Sequence, residues 1–307
     1  MRILISDKLA DEGINILKAV KNFEVDCSFG LPPEELKSII KDYHALIIRS
    51  GTKVTADILD AADQLKVIGR AGVGLDNVDL KAAAKKGIVT INTPSGNTTS
   101  TAEHTMSMIL ALSRNIPQAC ASLKTGKWDR LKFRGVELHE KTLGVIGFGR
   151  IGSTVAKFAK AFGMDVLAYD PLLSIEAVGL RDVTMTGLKE LLTQSDYITI
   201  HAPKSEETKN LISDEEFSLM KKTARVINCA RGGIINERAL TKALEEGKIA
   251  GCALDVFEQE PLSKDSPLLK HDNCIVTPHL GAATSEAKVS VAIEIAENVR
   301  NALLGRG

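Results

Sequence analysis

Leu143-Gly144-Val145-Ile146-Gly147-Phe148-Gly149-Arg150-Ile151-Gly152 is the stretch on which the fold turns. Its first half is a short apolar run rich in β-formers. Its second half matches G-x-G-x-x-G, and a helix is expected over 153–162. The hexapeptide alone is a weak signal. Between a strand and a helix it gains a mechanism: Gly147 permits a tight turn, Gly149 lets a diphosphate approach the backbone, and Gly152 lets the helix pack close on the strand. Unpaired N–H groups and the positive end of the helix dipole would hold the anion. A structural glycine turn is the competing reading, and the strand–helix context weighs against it.

Working outward, the same alternation continues in both directions. Downstream, strands are expected over 143–146, 165–169, 197–200, 225–228, 251–255 and 274–277, followed by one strongly periodic helix over 285–304. Upstream, strands are expected over 3–5, 23–25, 45–48, 66–68 and 89–92, with helical stretches such as 11–20 and 80–86, the latter ending at Gly87. Short apolar runs alternating with amphipathic segments imply parallel strands with crossover helices, so the fold class is α/β with two doubly wound sheets. Turn formers at 93–99 suggest a linker. A helix over 100–113 carries apolar residues on more than one face, so it is buried in the protein or covered by a partner subunit. Two arrangements fit the periodicity equally: two domains in tandem, or a terminal helix returning to the first domain.

The 307 residues suit two domains. Lys and Arg total 39 against 39 Asp and Glu, a balance that argues against an electrostatic nucleic-acid binder. No apolar run approaches the roughly 18 residues that span a bilayer, and Asp7 and Lys8 fall too early for a signal-peptide core, so a cytoplasmic protein is expected. Five cysteines without a C-x-x-C pair indicate buried thiols rather than a disulfide framework or a metal site. The basic stretch Lys124, Lys127, Arg130, Lys132 and Arg134 reads by spacing alone as a solvated surface.

Several residues beyond predicted strands carry chemistry. Asp170, eighteen residues after Gly152 in Ala168-Tyr169-Asp170-Pro171, would accept from both ribose hydroxyls and repel a 2′-phosphate, favouring NAD over NADP. Reduction of a carbonyl needs a cation to orient it and an acid to protonate the new alkoxide. Arg231, Glu260 and His279 each follow a strand, where ligands of open parallel sheets lie. Singly, each reads more simply as a loop cation, a solvated acid and a capping imidazole; together they suggest a site.

With these motifs assembled, the sequence closely resembles the D-isomer-specific 2-hydroxyacid dehydrogenases. The likeness rests on Gly147-Phe148-Gly149-Arg150-Ile151-Gly152, Asn228-Cys229-Ala230-Arg231-Gly232-Gly233, the run from Asp255 to Pro261, and Pro278-His279-Leu280-Gly281-Ala282. Ile47 to Thr52, Gly69 to Asp79 and Asn92 to Asn97 resemble most the branch that acts on a phosphorylated 2-hydroxy acid.

The resemblance implies a Rossmann cofactor domain, 97–283, inserted into a flavodoxin-like substrate domain made of 1–96 and 284–307. It implies that Arg231 grips the substrate, His279 donates the proton and Glu260 pairs with His279. NAD would lie on Gly147, Gly149, Arg150, Ile151, Gly152, Asp170, Ala202, Cys229, Asp255, His279, Gly281 and Ala282, with Asp255 on the carboxamide. The substrate would meet Arg49, Ser50, Arg70, Val73, Gly74, Asn97, Arg130 and Arg231. Among these, Arg49, Arg70 and Arg130 stand near the phosphate, Arg130 from its own or the partner subunit. The helix over 100–113 would lie at a homodimer interface. Val73 stands where some relatives carry threonine. Many relatives of that branch continue into a regulatory domain, and feedback by that route is not expected of these 307 residues. Two rival readings use the same residues: a reductase of unphosphorylated acids such as glyoxylate, hydroxypyruvate or lactate, and an NAD-sensing binding protein.

Overall fold

The computed structural model describes residues 1–173 and 182–306, which form two compact units: Met1–Asn97 with Ala282–Gly307, and Thr98–Gly281.

In the first unit the elements run β1 (Arg2–Ile5), α1 (Asp11–Lys18), β2 (Glu24–Cys27), α2 (Pro33–Ile39), β3 (Ala45–Ile48), α3 (Ala56–Asp60), β4 (Val67–Arg70), α4 (Leu80–Lys85) and β5 (Val89–Asn92). All strands pair in parallel in the order β2-β1-β3-β4-β5, the flavodoxin-like order. Gly87 ends its helix at φ +70°, a conformation glycine adopts without a Cβ penalty.

The terminal helix belongs to this unit and settles the choice between the two arrangements. Val291, Ala292, Ile295, Ala296, Val299 and Leu303 recur on one face and are buried with Ile3, Ile5, Ile14 and Leu17. Two glycines let the helix approach. A Cβ at Gly13 would come within 2.3 Å of the Ala292 carbonyl oxygen, and one at Gly69 within 2.5 Å of a Val299 methyl. Each large apolar side chain so buried stabilises the fold by roughly 1.5–3 kcal/mol.

The second unit begins with α5 (Thr98–Arg114) and α6 (Ile116–Lys124). It continues through β6 (Thr142–Ile146), α7 (Arg150–Ala161), β7 (Asp165–Tyr169), β8 (Val183–Met185), α8 (Leu188–Gln194), β9 (Tyr197–Ile200), α9 (Asp214–Leu219), β10 (Arg225–Asn228), α10 (Glu237–Glu245), β11 (Gly251–Leu254) and β12 (Cys274–Val276). The helix α11 (Ser285–Leu303) then returns to the first unit. The seven parallel strands lie in the order β12-β11-β10-β9-β6-β7-β8, a Rossmann order whose direction reverses between β6 and β9. Helices α5 and α7 cover one face, where Met106, Met108, Ile109 and Leu112 pack with Val155, Ala156 and Ala159. Leu191, Phe217 and Leu240 fill the other.

Several bounds differ from the sequence reading by a residue or more, and three differences have a clear cause. Helix α7 begins at Arg150 rather than at 153, because Gly149 is already its N-cap and Gly152 lies within its first turn. Strand β2 starts one residue late, since Phe23 is a buried plug closing the turn from Val20. Strand β8 has no counterpart in the sequence reading: three residues on a sheet edge, none fully buried, carry no periodic signal.

Candidate active site

The three glycines of the opening motif do three different things. Gly147 sits at φ +87° where a Cβ would come within 2.7 Å of His201, because the turn after β6 passes against the end of β9. Gly152 lies so near that turn that a Cβ would stand 2.2 Å from the Gly147 carbonyl oxygen. A Cβ at Gly149 would meet nothing within 4 Å. The space above the helix N-terminus is therefore open where a diphosphate needs it, and the first-turn amides, which an α-helix leaves unpaired, face it. Arg150 is exposed at the first helical position and Ile151 is half-buried. Asp170, beyond β7, is fixed at the rim: its Oδ2 accepts from the Phe148 amide at 2.9 Å and its Oδ1 from the Leu172 amide at 2.9 Å.

Beyond β9, the His201 imidazole is pushed down to about pKa 3 by burial and is neutral. Ala202 follows it and is half-buried. Cys229, beyond β10, is pushed up to about 12, first by burial and then by nearby Asp255, so it is a thiol and not a nucleophile at neutral pH.

The loop after β10 is shaped around Arg231. Buried Asn228 accepts from the Ala230 amide at 3.0 Å and donates to the Arg231 carbonyl at 2.9 Å, folding the chain back on the strand end. The guanidinium donates to the Ala230 carbonyl at 2.6 Å. Gly232 is obligatory: a Cβ would lie 1.7 Å from the Phe257 carbonyl oxygen. The Arg231 loop thus rests on Phe257, whose amide donates to Glu260 Oε1 at 3.1 Å. Glu260 Oε2 meets His279 Nδ1 at 2.8 Å. Arg231, Glu260 and His279 are in this way joined along one rim of the sheet. With Nδ1 turned to the carboxylate, Nε2 is the nitrogen left for proton transfer.

His279 has φ +54°, a left-handed conformation that costs a non-glycine residue about 1–3 kcal/mol. The turn is held by Asp255, which is fully buried. Its backbone oxygen accepts from the His279 amide at 2.9 Å. Its Oδ1 accepts from Thr277 Oγ1 at 2.6 Å and the Leu280 amide at 2.7 Å, and its Oδ2 from the Gly281 amide at 2.8 Å. Burial pushes this carboxyl up, but hydrogen bonds from His104, Thr277 and Leu280 outweigh burial and hold it below the usual range. The same carboxylate that the resemblance assigns to a carboxamide thus also holds the chain's own turn. Asn228, which opens the Asn228–Gly233 run, also shapes this rim, as do Thr277 and His104, which no motif in the sequence singles out.

The first unit presents its own candidates at the carboxyl ends of its strands. Arg49 follows β3, and its amide donates to Asp7 Oδ2 at 2.6 Å while its carbonyl accepts from Asn77 at 2.6 Å. Ser50 is exposed beside it. Arg70 ends β4 and its side chain lies over Gly72, where a Cβ would fall 1.8 Å from Nη1. Val73 and Gly74 follow, half-buried, with the Val73 carbonyl accepting from Asn92 at 2.5 Å. Asn97 closes the first stretch of this unit, with its Oδ1 buried and unpartnered among the described residues, and Ala282 opens the returning stretch. Arg130 is exposed in the second unit.

Comparison with known proteins agrees with this geometry. Residues 106–281 match the model of the D-isomer specific 2-hydroxyacid dehydrogenase NAD-binding domain. A D-3-phosphoglycerate dehydrogenase of Synechocystis sp. is 51% identical over 304 residues, which are 99% of this chain and 54% of that protein. The chain spans about half the length of the curated relatives it matches. Among solved structures, the TT0316 protein of Thermus thermophilus superposes with a TM-score of 0.91 at 34% identity, covering 100% of this chain and 98% of that one. The D-lactate dehydrogenase of Aquifex aeolicus, complexed with NAD and lactic acid, does so with a TM-score of 0.87 at 31% identity, covering 99% and 96%. With the Rossmann order, the glycine cradle and this family match in agreement, the chain belongs to the D-isomer-specific 2-hydroxyacid dehydrogenases and carries their NAD-binding domain.

Proposed function

We propose that the protein oxidises 3-phosphoglycerate to 3-phosphohydroxypyruvate with NAD, the first step of serine biosynthesis. The observation that carries the chemistry is the Glu260–His279 pair at 2.8 Å on the same rim as Arg231. The choice of acid is supported by the name of the relative that is 51% identical across 99% of this chain.

Gly147, Gly149, Arg150, Ile151 and Gly152 would hold the diphosphate, Asp170 the adenine ribose, and Ala202, Cys229, Gly281 and Ala282 would line the rest. Bound NAD supplies the acceptor for the hydride that leaves the hydroxyl-bearing carbon. His279 Nε2 takes the hydroxyl proton as the carbonyl forms. The imidazolium so produced is stabilised by Glu260, whose second oxygen is anchored on the Phe257 amide. Arg231 orients the substrate carboxylate and the developing carbonyl by charge-assisted hydrogen bonds. In reduction the same imidazolium returns the proton. Arg49, Arg70 and Arg130 are assigned to the phosphate, and Ser50, Val73, Gly74 and Asn97 to the rest of the acid.

Asp170 yields a coenzyme prediction. A 2′-phosphate beside an ionised carboxylate should cost about 1.4 kcal/mol or more, a factor of about ten. The specificity constant for NAD(H) should therefore exceed that for NADP(H) at least about tenfold. Comparable constants would show that another side chain receives the phosphate.

Assembly as a homodimer is supported by the second unit's surface. Helix α6 has no buried residue, and Ile116, Leu123, Trp128 and Leu131 form a run of exposed large apolar side chains, Leu131 at 83% exposure. Sedimentation or light scattering should give twice the 33.0 kDa chain mass. A monomer at micromolar concentration would leave these side chains unexplained. The five cysteines are free thiols, which suits the reducing cytoplasm, and among the described residues no helix is long and apolar enough to cross a membrane.

The assay that tests the substrate is NADH consumption with a panel of 2-keto acids. Phosphohydroxypyruvate should give the highest kcat/KM. A larger constant for glyoxylate, pyruvate or hydroxypyruvate would replace the phosphorylated acid with that compound.

A further inference from the structure

The turn that presents His279 depends on a residue from a distant element. His104 lies within α5, and its side chain is 19% exposed. Its Nε2 is 3.3 Å from Asp255 Oδ1 and 3.4 Å from Thr277 Oγ1. Asp255 is the hub of the turn, accepting through its side chain from Thr277, Leu280 and Gly281 and through its backbone oxygen from His279. A fully buried carboxylate with that many obligations needs a donor behind it, because an incompletely paired buried charge is costly. On the side facing α5, His104 supplies it.

We propose that His104 is a positioning residue for hydride transfer. Its Nε2–H, donated to Asp255, keeps that carboxylate in place, and the carboxylate keeps the His279 turn in its left-handed conformation. The influence of His104 runs through Asp255 Oδ1, the oxygen shared with Thr277 and Leu280. Loosening that oxygen loosens both ends of the turn at once. The effect should fall on the proton-transfer step more than on ligand binding, since the glycine cradle and Asp170 lie on other strand ends.

The proposal rests on the reading of His279 as the acid–base residue, and two measurements separate its failure from that of the reading. The first is amide hydrogen exchange of the segment containing Thr277, His279, Leu280 and Gly281, which requires no activity. His104→Leu should speed exchange there about tenfold or more, whereas His104→Gln, which retains an N–H donor of similar reach, should leave it near wild type. The second is steady-state kinetics with NAD and 3-phosphoglycerate. His104→Leu should lower kcat about tenfold or more with KM and NADH affinity within about threefold, and His104→Gln should recover most of that loss. Should the leucine variant fail to fold, His104→Asn removes the bond while keeping a polar side chain, because its shorter amide stops short of Asp255. Unchanged exchange in the variants lacking the bond, or a kcat within about twofold of wild type in a folded variant, would overturn the proposal. Wild-type protein without turnover on any 2-hydroxy or 2-keto acid would overturn the functional reading, with the exchange result still deciding the role of His104.

Discussion

Replacing His279 by alanine should lower turnover about 10²–10⁴-fold while NADH still binds within about threefold of wild type. The size follows from the loss of the nitrogen assigned to the proton: Nδ1 is committed to Glu260 at 2.8 Å, which leaves Nε2 for the proposed transfer. The selectivity follows from the architecture, since the diphosphate cradle is built from the turn after β6 and the start of α7, and the turn after β12 adds only the lining at Gly281 and Ala282. Stopped-flow turnover and NADH fluorescence titration together read both parts. Unimpaired turnover would remove His279 from the mechanism, and an equal loss of NADH affinity would make it a binding residue.

The second large effect concerns the anion. Arg49→Ala or Arg70→Ala should each cost about 1.5–3 kcal/mol in kcat/KM for the phosphorylated acid, the range for a charge-assisted hydrogen bond, while hardly changing residual activity on unphosphorylated hydroxypyruvate. The backbone argues that truncation will be local. Asp7 and Asn77 hold the Arg49 main chain on both its amide and its carbonyl, so the loop keeps its path without the guanidinium. Arg70 ends a strand paired on both sides, and only its side chain lies over Gly72. Equal losses on both substrates would assign these arginines to the carboxylate or to the fold.

Much of the fold is legible in the sequence because parallel sheets are buried on both faces and their strands read as apolar runs. Ala45–Ile48, Val89–Asn92, Asp165–Tyr169, Tyr197–Ile200 and Arg225–Asn228 have the bounds their composition predicts. Where the apolar run and the ladder part company, the reading slips. Gly69 and Arg70 look like a loop in sequence, yet the strand runs through them because Gly69 makes room for Val299 and Ile295 of α11. The edge strand Val183–Met185 is too short and too exposed to show a period. The returning helix is ambiguous in sequence because its stripe reveals that it is covered, not by what.

For the site, the positions of residues just past strand ends are legible, since strand prediction fixes where they fall: Asp170 follows its strand directly, and Arg231 and His279 stand three residues beyond theirs. What escapes is the support. His104, Asp255 and Thr277 come from three elements and meet only in space, and His104 sits in a helix between Glu103 and Thr105 where nothing local marks it. The sequence marks Asp255 only through its likeness to a ligand-binding position, and the four hydrogen bonds by which it holds the turn after Thr277 are visible only in the fold. Hydrogen-bond valence is a property of neighbours, and a linear pattern does not record it.

The activity proposed for this chain is hydride transfer from 3-phosphoglycerate to NAD. The most direct measurement is the initial rate of NADH formation, followed by absorbance, from purified protein, NAD and 3-phosphoglycerate, with hydrazine present to trap the keto product. NADH formation should be saturable, should not be matched with NADP, and should fall in His279→Ala to about a hundredth of wild type or less. No NADH formation from a folded protein that binds NADH would contradict that activity.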